Sequence, residues 1–204
     1  MIREVENKMK KHYKHKDILF PVPAALIVTG DIEHANIVTV AWIGIMGSDP
    51  EVIGISLKHD RYSLNSIEKY GEFTVNIPSS SLFRQVDYCG LTSGKVVDKF
   101  SETGFSKGKS IVVNTPIIEE CPLNLECKVI KAIDIGQWKI FVGEIVETQL
   151  DADCIDINEK VDINKIDPLV YIPTIREYWS IGTILGKAFD AGRCIKGNHA
   201  RKLK

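Results

Sequence analysis

The sequence predicts a mainly β, α+β fold: an antiparallel barrel, closed or split, with a few short helices. Three observations carry that expectation. Short apolar runs rich in Val, Ile and Ala recur along the first third of the chain with Gly, Asp or Pro between them. Two later segments alternate apolar and polar residues, as half-buried strands do. The helical patterns are few and do not alternate with the strands, which argues against a doubly wound parallel sheet.

The first sixteen residues carry Lys8, Lys10, Lys11, Lys14 and Lys16 with His12 and His15, and residues 1–19 read as a solvated basic arm. Residues 22–29, 37–45 and 52–57 then read as three strands, separated by Gly30-Asp31 and by Ser48-Asp49-Pro50. After the third comes Lys58-His59-Asp60-Arg61-Tyr62-Ser63, followed by Leu64, Ile67 and Tyr70 at helical spacing and by Gly71. This predicts a helix with Asp60 as N-cap and Gly71 as C′ residue. Its free amide groups, with Arg61 and Ser63 beside them, suit a phosphate.

Phe73, Val75 and Ile77 alternate in a fourth strand, and Ser79-Ser80-Ser81 offers an N-cap for a helix through Leu82, Phe83 and Val86. That helix leads into a polar loop, Cys89-Gly90-Leu91-Thr92-Ser93-Gly94-Lys95. Its two glycines let the backbone approach a ligand, and its hydroxyls and cation suit a phosphate or a heterocycle edge. An ordinary surface turn has the same composition. Residues 123–133 and 138–146 predict two long strands joined by a hairpin at Gly136-Gln137, residues 151–167 an irregular acidic excursion, and residues 168–172 a short last strand. The aromatic stretch 174–182 either packs its rings on the barrel or faces a ligand. Residues 183–204 form a basic C-terminal extension with Arg193, Lys196, Arg201, Lys202 and Lys204.

With 204 residues and 44% hydrophobic content, the chain suffices for one domain, placed at 20–182. A formal net charge of −1 gives no pull toward nucleic acid. No apolar run approaches the ~20 residues that span a bilayer, and the charged start lacks a signal-peptide core, so the cytoplasm is the expected compartment and no membrane partner is expected. Cys89, Cys121, Cys127, Cys154 and Cys194 are odd in number and scattered, which suggests neither disulfides nor zinc. They read as small core residues, with Cys89 left open by its neighbours. No His has metal-site spacing. Gly104 to Ser110 and Gly90 to Lys95 are both too short for a phosphate-binding P-loop, and no G-x-G-x-x-G occurs, so any nicotinamide must bind transiently.

One ordered set of segments is more specific. Phe20-Pro21-Val22-Pro23 leads into Ala25-Leu26-Ile27-Val28-Thr29-Gly30, then Ala35-Asn36-Ile37-Val38-Thr39-Val40-Ala41-Trp42, Ser48-Asp49-Pro50, Ile55-Ser56-Leu57, Gly71-Glu72-Phe73-Thr74-Val75-Asn76 and Ser93-Gly94-Lys95-Val96-Val97-Asp98-Lys99-Phe100. This order resembles the flavin reductase-like family of FMN-binding split barrels, in its flavoredoxin-type branch, from about Phe20 to Gly182. The resemblance implies a homodimer with one non-covalent FMN per subunit near the interface. It implies ring contacts at Thr39, Val40, Ala41 and Trp42, and phosphate contacts at Ser56, Lys58, Arg61, Tyr62 and Ser63. A second loop is implied at Cys89, Gly90, Ser93, Gly94 and Lys95. Trp42, in an apolar strand, is equally a core residue. Because the cofactor carries the redox chemistry, no catalytic side chain is expected, and Cys89, lacking a resolving partner, is not read as a redox cysteine. The implied function is an NAD(P)H-dependent flavin reductase or a flavoredoxin-type electron-transfer protein fed by a redox partner. The competing reading is a flavin-binding module without turnover, serving as store, sensor or structural subunit.

Overall fold

The structure is a computed structural model that describes residues 9–14 and 17–193. The N-terminal Lys8, His15 and Lys16, and the C-terminal Cys194, Lys196, Arg201, Lys202 and Lys204, lie outside the described residues. Residues 9–14 are exposed and carry no regular structure.

The first apolar run divides between two sheets. β1 (Val22–Pro23) and β2 (Ala25–Thr29) belong to different sheets, and between them the Ala24 amide donates to Leu169 O at 3.2 Å. The second run also divides, into β3 (Asn36–Val40) and β4 (Ile43–Ser48), and the third becomes β5 (Glu51–Lys58). The three expected strands are therefore five. No glycine or proline marks the break at Ala41-Trp42, which is made by geometry: Trp42 O accepts from Ser56 N at 2.9 Å as the chain crosses from one sheet edge to the other.

Helix α1 (Tyr62–Tyr70) follows, and Gly71 ends it in the left-handed conformation at φ 68, as expected. Its N-terminus differs from expectation. Arg61, not Asp60, is the N-cap, because Arg61 N bonds to Lys58 O at 3.0 Å and the resulting turn keeps Asp60 outside the helix. β6 (Glu72–Ile77) holds the expected strand residues Phe73, Val75 and Ile77. A 3-10 turn over Ser80–Leu82 runs into α2 (Phe83–Leu91), then come α3 (Lys99–Thr103), β7 (Lys107–Gly108) and β8 (Ile117–Ile118). The long pair β9 (Leu123–Ile135) and β10 (Trp138–Leu150) turns at Gly136, whose φ is 57. The acidic excursion holds a 3-10 turn over Ala152–Cys154 and α4 (Ile163–Ile166). β11 (Val170–Ile172) is not the last strand, since β12 (Glu177–Trp179) pairs with it across a turn closed by Arg176 N to Ile172 O at 2.8 Å.

The large sheet runs β3-β2-β6-β9-β10-β5-β4, with every pairing antiparallel. It curls so that Val38 and Val40 of β3 and Ile53, Ile55 and Leu57 of β5 share one core with Phe73, Val75 and Phe141. Leu64 and Ile67 of α1 close that core. The outer face of β2 and β3 packs against α2, α3 and β8 through Leu26, Val28, Ile37, Val86, Phe100 and Ile118. Both faces of β2 are thus covered, which is why its sequence is continuously apolar. A separate three-stranded sheet, β1-β11-β12, lies beside this barrel. No helix among the described residues is long and apolar enough to cross a membrane.

Two buried carboxylates pin the segment between β7 and β8. Glu126 accepts from the amides of Ile111, Val112 and Val113 at 2.7, 2.7 and 3.0 Å, and Glu72 accepts from those of Asn114 and Thr115 at 2.8 and 3.0 Å. A backbone with no strand partner of its own is satisfied in this way.

Candidate functional site

The gap between the ends of β3 and β5 holds two adjoining clefts. The first, of about 240 Å³, is walled by Thr39 to Trp42 on the β3–β4 crossing, by Ser56 to Lys58 at the end of β5, and by Trp138 of the β9–β10 hairpin. Tyr171 and Tyr178 of the small sheet complete it, with rings 5.3 Å apart. The second, of about 280 Å³, is polar, and is lined by Asn36, Val38, Asp60, Tyr62, Ser63, Thr92, Ser93, Gly94 and Lys99. Lys58 and Arg61 line both.

Local structure explains how each wall is held. Thr39 Oγ1 donates to Val86 O at 2.5 Å, so β3 is tied to α2 beneath the first cleft. Tyr178 donates its hydroxyl to Asp87 Oδ1 at 3.2 Å, and burial together with that carboxylate pushes the phenol well above its ordinary pKa, keeping it protonated. Lys58 Nζ sits 5.4 Å from the Trp138 ring centroid, a cation–π contact across the mouth. In the second cleft Asn36 Nδ2 donates to the buried Ser63 Oγ at 2.6 Å. Gly94 has to be glycine, because a Cβ there would lie 1.9 Å from Asn36 Oδ1 and 2.8 Å from Tyr62 Cδ1.

The electrostatics of the second cleft favour an anion. No side chain caps the N-terminus of α1, where the positive end of the helix dipole lies. Arg61 and Lys99 hold the opposite end of α2: Arg61 Nη1 donates to Gly90 O at 3.4 Å and Lys99 Nζ to Cys89 O at 2.7 Å. Lys58, Arg61 and Lys99 are the cations in this lining, against the carboxylate of Asp60.

Of the residues singled out in the sequence, Thr39, Val40, Ala41, Trp42, Ser56, Lys58, Arg61 and Gly90 line the first cleft. Lys58, Arg61, Tyr62, Ser63, Ser93 and Gly94 line the second. Cys89 and Lys95 line neither. Cys89 and Gly90 belong to the last turns of α2, not to a loop, with Val86 and Cys89 at helical spacing on its buried face. The Cys89 side chain is buried against Val86 and Phe100, and burial pushes its thiol up to about 11, so it is protonated at neutral pH. Lys95 is exposed. The sequence reading did not place Asn36, Lys99, Trp138, Tyr171 or Tyr178 at the site. The aromatic stretch 174–182 was the one signal for Tyr178. Lys99 stood in the sequence only inside the segment Ser93 to Phe100 of the family resemblance, with no site role given to it.

A family model described as the flavin reductase like domain matches residues 18–179. The chain belongs to the flavin reductase-like family. Among solved structures it is similar to the flavoredoxin of Desulfovibrio vulgaris (Miyazaki F), with a TM-score of 0.86 and 37% identity over 91% of this chain and 100% of that one. It is likewise similar to the flavoredoxin from Methanosarcina acetivorans, at 0.83 and 31% over the same shares. A putative flavin reductase with split barrel domain from Shewanella frigidimarina shares the fold at 0.74 and 20% identity, over 83% of this chain and 86% of that one. The fold is thus a split barrel of the flavoredoxin-type branch. The residues present fit the flavin this family carries. An aromatic and apolar slot matches a planar ring system, and the cationic cleft next to it, with its uncapped helix N-terminus, matches a terminal phosphate.

Proposed function

We propose that the protein binds one FMN per subunit without a covalent bond and works as a flavoredoxin-type electron-transfer protein. The observation that carries this reading is the pairing of the two clefts at Lys58 and Arg61, one suited to a ring and the other to a dianion. The bound flavin supplies hydride and single-electron chemistry at its ring. The chain's own residues bind and orient. Val40, Ala41 and Trp42 line one side of the slot with Tyr171 and Tyr178 opposite in the small sheet, and Ser56 and Gly90 complete the walls. Arg61, Tyr62, Ser63 and the amides of α1 hold the phosphate end, with Ser93 and Gly94 closing over it. No protein acid, base or nucleophile is needed. The Cys89 thiol packs in the core and takes no part.

A second subunit is part of this reading. Edge strand β4 leaves Ile45 and Met46 exposed at 64% and 62%, an apolar edge that a homodimer would cover. The electron source is a reduced redox protein, with NADH or NADPH as the alternative donor that would make the protein a flavin reductase. That second reading is favoured by the match to the flavin reductase like domain.

The test is anaerobic mixing of the FMN-loaded protein with NADH, with NADPH and with a reduced ferredoxin-class carrier, following flavin bleaching. Bleaching by the carrier alone supports the electron-transfer reading, and rapid bleaching by a nicotinamide supports the reductase. A protein bleached only by dithionite is a binding module, and one that cannot be loaded with FMN refutes the proposal.

A further inference from the structure

β12 is three residues long, lies at the edge of the small sheet and pairs only with β11. Glu177 and Trp179 are exposed, which leaves Tyr178 as its one partly buried residue. Tyr178 stands directly opposite Tyr171 in the strand register, with the two rings 5.3 Å apart and tilted by 44°. Both rings line the first cleft and pack against the core that holds Val86 and Cys89 of α2. Short strand pairings are marginally stable unless their side chains are docked on something else. The docking bond here runs from the Tyr178 hydroxyl to Asp87 Oδ1 of α2, at 3.2 Å.

Asp87 is exposed and lines neither cleft. Water would satisfy an exposed carboxylate equally well, so what the bond changes is the placement of the tyrosine. Burial, and then the Asp87 carboxylate, push the Tyr178 phenol up in pKa, so it stays protonated and able to donate. The same half of α2 ties down other walls of the site. Val86 O accepts from Thr39 Oγ1 at 2.5 Å, and Gly90 O from Arg61 Nη1 at 3.4 Å. Asp87 extends that anchoring from the barrel to the small sheet.

We infer that Asp87 is a positioning residue for the ring-binding cleft: through Tyr178 it fixes the tyrosine wall opposite Val40 to Trp42 and so sets the fit of a flavin ring. This rests on the flavin reading of the paired clefts and adds to it a residue outside both. Without the bond, β12 is held by its ladder to β11 and by ring packing alone. A displaced Tyr178 then takes its cross-strand partner Tyr171 with it. The effect falls on the ring and not on the phosphate, so FMN and riboflavin feel it equally.

The experiment compares wild type with Asp87→Ala, Asp87→Asn, Tyr178→Phe and the double variant Asp87→Ala/Tyr178→Phe. FMN and riboflavin affinities are read by fluorescence quenching, the ring environment by visible circular dichroism of the bound flavin, and folding by melting temperature. Asp87→Ala and Tyr178→Phe should each weaken both flavins about three- to tenfold, leave their affinity ratio unchanged and alter the dichroism in the same way. The double variant should be no weaker than either single one, since both remove the same bond. Asp87→Asn keeps an acceptor and should restore wild-type affinity and dichroism. Wild-type affinity and dichroism in both single variants, with or without a lower melting temperature, would reduce the bond to a structural tie and overturn the inference. Additive losses in the double variant, or an Asp87→Asn no better than Asp87→Ala, would overturn it as well. Should Asp87→Ala not fold, Tyr178→Phe, which removes one hydroxyl, decides by the same criteria. A wild type that binds neither flavin refutes the reading of the clefts and the inference with it, a result distinct from any shown by the variants.

Discussion

Arg61→Ala separates ligand binding from folding more cleanly than other changes at the site. The guanidinium is exposed, lines both clefts and makes one long hydrogen bond, 3.4 Å to Gly90 O. Its removal should cost the fold less than ~0.5 kcal/mol, the usual range for surface positions. A charge-assisted hydrogen bond to phosphate contributes ~1.5–3 kcal/mol, and solvent exposure places Arg61 at the lower end of that range. At ~1.4 kcal/mol per decade, FMN affinity should fall about tenfold and at most about a hundredfold. Isothermal titration with FMN and riboflavin, at low and high salt, reads this directly: FMN binding weakens and loses salt dependence, while riboflavin binding holds. Equal loss of both ligands in a folded variant would place Arg61 against the ring and refute its role at the phosphate. No loss of either would move the phosphate to the segment between Cys89 and Lys95.

Gly94→Ala should lower both stability and FMN affinity. Its Cβ would meet Asn36 Oδ1 at 1.9 Å, displacing the side chain that holds Ser63, and such overpacking costs ~1–3 kcal/mol; an unchanged melting temperature and Kd would show that the loop moves freely. Glu126→Gln should destabilise by ~2–3 kcal/mol, because the carboxylate accepts three amides and Gln149 Nε2 at 2.9 Å. Burial alone would raise the Glu126 pKa, but the amides of Ile111, Val112 and Val113 outweigh it and hold it below 4.5. Its contribution is therefore complete at neutral pH and is lost as pH falls from the ordinary glutamate range through the lowered value. Urea unfolding between about pH 6 and pH 3 should show a wild-type loss that Glu126→Gln lacks, and parallel curves would contradict this.

The parts of the fold that local chemistry dictates were legible in the sequence. β6 could be bounded because Gly71 ends α1 in a left-handed conformation and Pro78 follows Ile77. The β9–β10 turn could be placed because Gly136 takes a positive φ. What escaped was set by distant partners. Ala24 leaves one sheet for another because Leu169 O waits for its amide, and nothing near Ala24 announces that. The turn before β12 uses Arg176 at φ 58 in place of a glycine, so the last strand carried no punctuation. Lys99 bonds to the carbonyls of Ile37 and Cys89, which lie in β3 and α2, and periodicity cannot see such contacts. Of the site, the β5–α1 corner was readable because one short segment supplies Lys58, Arg61 and Ser63. The tyrosine wall was not, because it depends on the small sheet docking on the barrel.

The preference of the second cleft for an anion comes from how two helices meet, not from the chain's net charge of −1. α1 presents its N-terminus and α2 its C-terminus to the same place, joined by the bond from Arg61 to Gly90 O. Left to themselves these ends carry opposite partial charges that would largely cancel. Lys99 and Arg61 occupy the carbonyls of Cys89 and Gly90, and Thr92 donates its amide and hydroxyl to Tyr88 O at 3.1 and 2.8 Å. The negative end of α2 is therefore satisfied by protein donors. The first turn of α1 has no matching side-chain cap, because the turn at Lys58 to Arg61 leaves Asp60 one residue too early to serve. A single displaced aspartate thus leaves the amides of α1 open to a ligand. Moving a capping side chain onto the helix start, by Arg61→Asp, should close them, and should abolish FMN selectivity over riboflavin more completely than Arg61→Ala does.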